Sequence, residues 1–222
     1  MARPKVPLIS KRAALEAALD IIDTEGIDAL SIRRLAERLG VNGASLYHHF
    51  QNKEEIVVGA AKLALEEVRV PQGHEEPWEV WLLRNARRLR AAFRAHPDLV
   101  PVMLRREPLG IGTSQLDATF AMLEEEGVPI GAIAPMMEAL ELYAIGSALH
   151  ETGAGATKPD PKRAPHMAAA EAERALTADQ IFDLVCEQIV AATVKVAREK
   201  AATSAAKPTA KPPARRSKAR TA

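Results

Sequence analysis

The chain has 222 residues, 47% of them hydrophobic, with 30 Lys and Arg against 29 Asp and Glu. That is ample apolar material for one large domain or two smaller ones, and it excludes a chain that needs covalent staples to fold. The single cysteine, Cys186, excludes an intramolecular disulfide and fits a reducing compartment.

The formal net charge of +1 conceals a segregation. Residues 1–53 hold 8 basic and 6 acidic side chains, residues 54–201 hold 16 and 23, and residues 202–222 hold 6 and none. Affinity for a polyanion therefore belongs to the ends, while an acidic body repels phosphate and helps orient the molecule on a duplex. The basic start lacks the continuous apolar stretch of an export signal, and no run approaches the roughly 18 to 20 apolar residues that span a bilayer. The expectation is a cytoplasmic protein without a membrane partner.

In chain order, residues 1–9, MARPKVPLI, read as a flexible basic arm. Ser10 caps a first helix with Leu15, Ala18, Leu19 and Ile22 on its apolar stripe, ending near Gly26. The stretch SIRRLAERLGVNGASLYHHFQNK, Ser31 to Lys53, then reads as two short helices around a tight turn. Ser31 caps the first, in which Ile32, Leu35, Ala36 and Leu39 face a core. Gly40 ends it in a left-handed conformation, and Asn42 caps a second helix running through Ser45, Leu46, Tyr47 and His49. This is a helix-turn-helix pattern, in which the second helix enters a DNA major groove. Arg33, Arg34, Arg38, Asn42, Ser45, Tyr47, His48, His49 and Lys53 can donate to phosphates or base edges, and Glu37 is the only acid among them. Asn52 caps the next helix, with Ile56, Ala60, Leu63 and Ala64 on its stripe.

The run GIDALSIRRLAERLGVNGASLYHHFQNKEEIV resembles the DNA-binding domain of the tetracycline-repressor (TetR) family of bacterial regulators, through SIRRLAERLGV, the LYHHF around Tyr47 and the Asn52-Lys53 pair. The resemblance implies that Asn42, Gly43, Ala44, Ser45, Tyr47, His48 and His49 form the presented surface. Within it Tyr47 and His49 match positions that touch phosphates, Lys53 matches a lysine at the start of the fourth helix, and Arg33 matches a position that reaches a base or phosphate. His48 is a candidate base-edge reader. For Tyr47, packing on the preceding helix stands beside phosphate contact. Gly43 departs from the pattern, since a base-reading side chain often occupies its position.

Beyond this region, Val68–Pro77 reads as a loop. Trp78, Leu82, Asn85, Leu89 and Phe93 then form a helical stripe with Trp81 beside it. Asn85 on that stripe must be hydrogen-bonded, either to protein or to something entering a cavity. His96 to Pro108 reads as one short helix capped by Asp98, Gly110–Leu116 as a loop, and Leu116, Phe120 and Leu123 as the buried face of a helix stopping at Gly127. The helix from Ile130 to Glu151 is apolar on two faces. One carries Ile133, Met136, Met137, Leu140, Tyr143 and Ala144, the other Leu142, Ile145, Gly146 and Leu149, so one face meets the body and the other a partner subunit. Glu151–Pro165 reads as a flexible loop, followed by a short alanine-rich helix. Thr177 caps a last long helix to about Lys200, with Ile181, Leu184, Val185, Ile189, Ala192 and Val196 on its stripe. The resemblance assigns these last long helices to a four-helix dimer interface. Residues 202–222 read as a disordered basic tail, either a solubilising extension or a source of sequence-blind phosphate contact.

Chemistry for catalysis is missing from the pattern. His150-Glu151 has no second histidine four residues on, Cys186 lies in an apolar stretch, and there is no Walker loop, paired-cysteine zinc motif or nucleophile elbow. No catalytic residue, metal site or cofactor is expected. The fold class is all-α, with a three-helix helix-turn-helix DNA-binding domain over residues 10–53 and a larger ligand-binding and dimerisation domain over 54–201. Its cavity is expected among Trp81, Asn85, Met103, Phe120, Met137 and Tyr143, whose aromatic and methionine walls suit an apolar or amphipathic effector. The function implied is a homodimeric ligand-responsive regulator, foremost a repressor that binds a palindromic double-stranded DNA operator and is released by its effector, nucleoid-associated when bound. Two alternatives stand beside it: an activator or nucleoid-type binder, and an all-α ligand carrier or enzyme.

Overall fold

Side-chain caps set the boundaries of the N-terminal helices, and all four occur where the sequence places them. The computed structural model describes residues 9–68, 76–102, 113–152 and 159–205, over which the chain is all-α without a strand. Ser10 accepts from the Ala13 N–H at 3.1 Å and opens α1 (Lys11–Glu25). Ser31 accepts from the Arg34 N–H at 3.0 Å and opens α2 (Ile32–Leu39), which Gly40 ends at φ +67°. Asn42 accepts from the Ala44 N–H at 3.1 Å and opens α3 (Gly43–Leu46). At α4 (Lys53–Ala64) two side chains share the cap: Asn52 accepts from the Glu55 N–H at 2.9 Å, and the Glu55 carboxylate accepts from the N–H of Gln51, the residue before the cap, at 2.8 Å.

α3 is shorter than the sequence pattern implies. After Leu46 the chain turns, with the N–H groups of both His49 and Phe50 donating to the Leu46 carbonyl at 2.9 and 3.0 Å. Phe50, 1% exposed, is thereby carried back into the core, and the burial of its ring outweighs the weak helix preference of Tyr47, His48 and His49. α4 lies along α1, with Ile56, Val57 and Ala60 buried against Ala14, Ala18 and Ile21. Gly59 allows the close approach, since a Cβ there would sit 2.6 Å from Leu15 Cδ2.

The second half consists of α5 (Trp78–Ala95), α6 (Thr113–Glu125), α7 (Ile130–Thr152), α8 (Pro165–Ala172) and α9 (Ala178–Ala205). α7 packs along α5 and also along α9. Its inner face is Ala132, Ile133, Met136, Leu140, Ala144, Ile145 and Ala148, whereas Leu142 and Leu149 are 60% and 41% exposed. Ile145, assigned to the outer face from the sequence, belongs to the inner one. In α9, Phe182, Cys186 and Val190 are buried, while Leu184 and Val196 stay open. A reciprocal Thr177–Gln180 cap starts this helix, which continues to Ala205, five residues past its anticipated end.

Two further expectations are corrected. Asp98 caps no helix: it sits within a 3-10 turn, Pro97–Leu99, and its carboxylate accepts from the Ile27 N–H at 3.4 Å. By length and composition α7 does suffice to cross a bilayer, although the sequence showed no continuous apolar run of that size. Its polar interruptions are few, and packing on α5 and α9 accounts for its apolar character. The 1–8 segment, Met103 and residues 206–222 lie outside the described residues.

Arg90 joins the three long helices. Its guanidinium on α5, 5% exposed, donates to Asp179 of α9 at 2.8 Å and bonds Glu151 of α7, while its plane lies 4.6 Å from the Phe182 ring centre. Burial works against the charge, but the two carboxylates outweigh it and hold the guanidinium above its ordinary pKa. Replacement Arg90→Met leaves Glu151, 19% exposed, without its main counter-ion and should lower stability by about 3 kcal/mol in urea titrations.

Candidate DNA-binding surface and ligand cavity

The basic residues of α2 divide by direction. Arg34 turns inward onto Glu25 of α1, with Nε 2.9 Å from Oε2, and Arg38 pairs with Asp20 of the same helix. The Arg34 hydrogen bond holds the Glu25 carboxyl below its usual range, and Glu25 in turn raises Arg34. Arg33 alone of the three points outward, its side chain 89% exposed and, among the described residues, paired only with Glu37 one turn on at 3.4 Å. The donor inventory read from the sequence is therefore partly structural: two arginines fasten α2 to α1, and one faces outward.

Arg33, Asn42, Gly43 and Tyr47 line one shallow depression between α2 and α3. Ala44, Ser45 and His48 are exposed beside it, and Lys53 is exposed at the first position of α4. His49 is half-buried, its ring 6.2 Å from that of Phe50. Tyr47 is 61% exposed, so most of its ring faces away from the core. The Asn42 oxygen accepts from Ala44 N–H, which gives this side chain a capping role within the turn. Gly43 meets no steric demand, because a Cβ there would lie 3.9 Å from Ile32 Cγ2 and its φ is not positive.

A cavity of about 300 Å³ lies in the second half, between α5, α6 and α7. Asn85, Phe120 and Met137, three of the residues singled out in the sequence, line it. Trp81 and Tyr143 do not. Trp81 is 5% exposed in the core, with its Nε1 buried and unpaired among the described residues, and Tyr143 stacks on Phe182 with ring centres 5.3 Å apart and 9° between planes. The helical stripe could not separate these residues, because Trp81 and Asn85 lie one turn apart on the same side of α5, and which of them borders the cavity depends on the helices packed beside it.

The sequence reading missed Glu138 and Glu141, which also line the cavity. The signal was present: they are the only charged residues from Ile130 to Leu149. Glu141 is half-buried, and burial, with Glu138 one turn away, raises its carboxyl above the ordinary range. Among the described residues there is no group of His, Cys, Asp or Glu able to hold a metal. Burial pushes the Cys186 thiol up to about 12, which leaves it without thiolate character at neutral pH.

Comparison with known proteins agrees with this two-part arrangement. The family described as bacterial regulatory proteins, tetR family, matches residues 14–60, and the tetracyclin repressor-like C-terminal domain matches residues 70–186. The chain is 31% identical over 146 residues to the tetracycline repressor protein class A from transposon 1721 of Escherichia coli, covering 64% of this chain and 67% of that protein. It is similar in structure to ActR of Streptomyces coelicolor in complex with actinorhodin, with TM-score 0.67, 27% identity, and coverage of 88% of this chain and 100% of the other. TetR from Acinetobacter baumannii AYE matches with TM-score 0.66 and 25% identity, over 85% of this chain and 98% of that one.

The open space at Gly43 predicts that Gly43→Ala keeps the fold, and that loss of the glycine's backbone freedom raises stability by up to about 1 kcal/mol, as read by thermal unfolding.

Proposed function

The chain belongs to the tetracycline-repressor family of bacterial regulators, and on that premise we propose that it is a homodimeric repressor which binds a palindromic operator and releases it when a small apolar or amphipathic effector enters the cavity. The observation that carries this reading is the pairing, in one chain, of an outward donor surface at Arg33, Tyr47 and His48 with a separate ligand-sized cavity lined by Asn85, Phe120 and Met137. A bound actinorhodin in the ActR structure supports a small-molecule effector for this architecture. The chemistry is recognition without a catalytic step, in the cytoplasm and on the nucleoid.

In this reading Arg33, Ser45 and His48 address base edges, with Ala44 and Gly43 leaving room for close approach. Tyr47, His49 and Lys53 address phosphates. The DNA-binding unit comprises residues 10–53 with the arm 1–9, the effector and dimer unit residues 54–201, and residues 202–222 a basic tail. The exposed Leu142 and Leu149 of α7 and Leu184 and Val196 of α9 form the dimer face, and its two-fold axis imposes the operator's palindrome.

Helix α5 supports a route between the two sites. Through Leu82, Asn85, Ala86 and Leu89 it walls the cavity. Just beyond its end, His96 Nδ1 lies 2.8 Å from Asp23 Oδ1 of α1, and Asp98 holds the Ile27 N–H. A ligand that shifts α5 thereby acts on the helix to which Arg34 and Arg38 fasten the helix-turn-helix. Such coupling is reciprocal, so operator DNA must alter effector affinity by the same factor.

Two measurements test the proposal. In DNA titrations across salt, Arg33→Ala should weaken operator binding by about 1–3 kcal/mol with relaxed sequence preference, whereas Lys53→Ala should weaken all DNA alike and reduce the salt slope by about one. Equal, salt-independent losses for the two would contradict these roles. In sedimentation velocity, Leu184→Glu should convert the dimer to a folded monomer and lose operator affinity, because two half-sites are then no longer held together; a dimer unchanged by this variant would contradict the assigned face.

A further inference from the structure

The cavity is apolar through Leu82, Leu89, Leu116, Phe120, Met137 and Leu140, yet two carboxylates stand in its wall on α7. Among the described residues neither Glu138 nor Glu141 has a hydrogen bond or an ion pair. Among the described residues, four of the five arginines of the facing helix are engaged elsewhere: Arg84 with Glu76, Arg87 with Asp183, and Arg90 and Arg94 with Glu151, while the fifth, Arg88, is exposed and makes no ion pair with Glu138 or Glu141. Asn85 across the cavity likewise has no hydrogen-bond partner among the described residues and offers a carbonyl oxygen and an amide to whatever enters. A half-buried carboxylate facing an apolar space without a counter-ion is a destabilising arrangement, and it is relieved when a cation arrives.

We infer that the effector of this regulator is a hydrophobic or aromatic molecule bearing a positively charged nitrogen, seated with the nitrogen against Glu141 and Glu138 and the apolar body against Phe120 and Met137. The inference rests on the reading of this cavity as the effector site and specifies the ligand's chemistry. Three effects select the cation. Coulomb attraction is strongest at the half-buried Glu141, where less water screens it, and the exposed Glu138 one turn away adds to it. The Phe120 ring offers a face to a cation, and the thioether of Met137 is polarizable. A neutral molecule leaves the carboxylates uncompensated, and an anion meets repulsion from both. The raised Glu141 carboxyl agrees with this picture, since the site resists holding its charge until a partner is supplied.

The test uses three probes of similar shape on the full-length protein, without DNA: phenethyltrimethylammonium, a permanent cation; its uncharged carbon isostere (3,3-dimethylbutyl)benzene; and the anion 4-phenylbutyrate. By calorimetry or tryptophan fluorescence at neutral pH, the cation should bind at least about tenfold more tightly than the isostere, with the anion weakest. Glu141→Gln should remove most of that preference and Glu138→Gln/Glu141→Gln all of it, while Glu125→Gln on the exposed side of α6 leaves it intact. Glu141→Gln should melt no lower than the parent, because it removes a penalised charge, so a lost preference does not signal a lost fold. An isostere that binds as well as the cation, a preference that survives in the double variant, or no binding of any probe overturns the inference. Operator binding is titrated separately. A protein that prefers the cation but binds no operator supports the cavity assignment and refutes the repressor. One that binds operator but lacks the preference keeps the repressor and refutes the cationic effector.

Discussion

A guanidinium taken out of water must be met by carboxylates and by a ring, or the helix that carries it cannot stay buried. Arg90 is so placed, with Glu151 and Asp179 at its nitrogens and Phe182 against its plane. Since these partners come from α7 and α9, the one side chain fixes the register of all three long helices at that end of the bundle. Tyr143 also stacks on Phe182, and it does not line the cavity. The packed end and the hollow end of α5 are thus two consequences of the same helix: beyond Leu89 it is locked by charge, and before it the side chains surround open space.

Charge also organises the DNA-facing half, in the reverse sense. There the acids of α1 hold basic residues inward, so that Arg34 and Arg38 become fasteners and the outward face of α2 carries Arg33. The caps at Ser31, Asn42 and Asn52 then set where each short helix begins, which places Lys53 at the start of α4 and leaves Tyr47 and His48 on the turn that follows α3. These exposed pairs add little energy singly, but they set direction, and direction decides which donors DNA can meet.

Among the described residues, two polar contacts join the end of α5 to α1 and the turn after it. His96 with Asp23, and Asp98 with the Ile27 N–H, tie the end of α5 to the end of α1. These polar contacts stand beside an apolar core that both halves share, from Ala14 of α1 to Val194 of α9.

Much of this was legible in the residues themselves. Caps, the glycine at position 40, the helical periods and the break at Gly127 are local, so they follow from conformational preference and hydrogen bonding within a few residues. Segregation of charge along the chain likewise pointed to a basic reading head on an acidic body. Partner choice across the fold was not legible. That Arg34 meets Glu25, that Asp98 serves Ile27 instead of capping a helix, that Phe50 curtails α3, and that Asn85, Phe120 and Met137 share a cavity with Glu138 and Glu141 but not with Trp81 or Tyr143, depended on which helices lie side by side. The sequence alone determined the helices, their limits and the kind of surface each presents. Tertiary structure decided which charges are consumed internally and which remain for ligands, because compensation of a charge depends on distance in space, and the spacing of residues along a chain does not contain it.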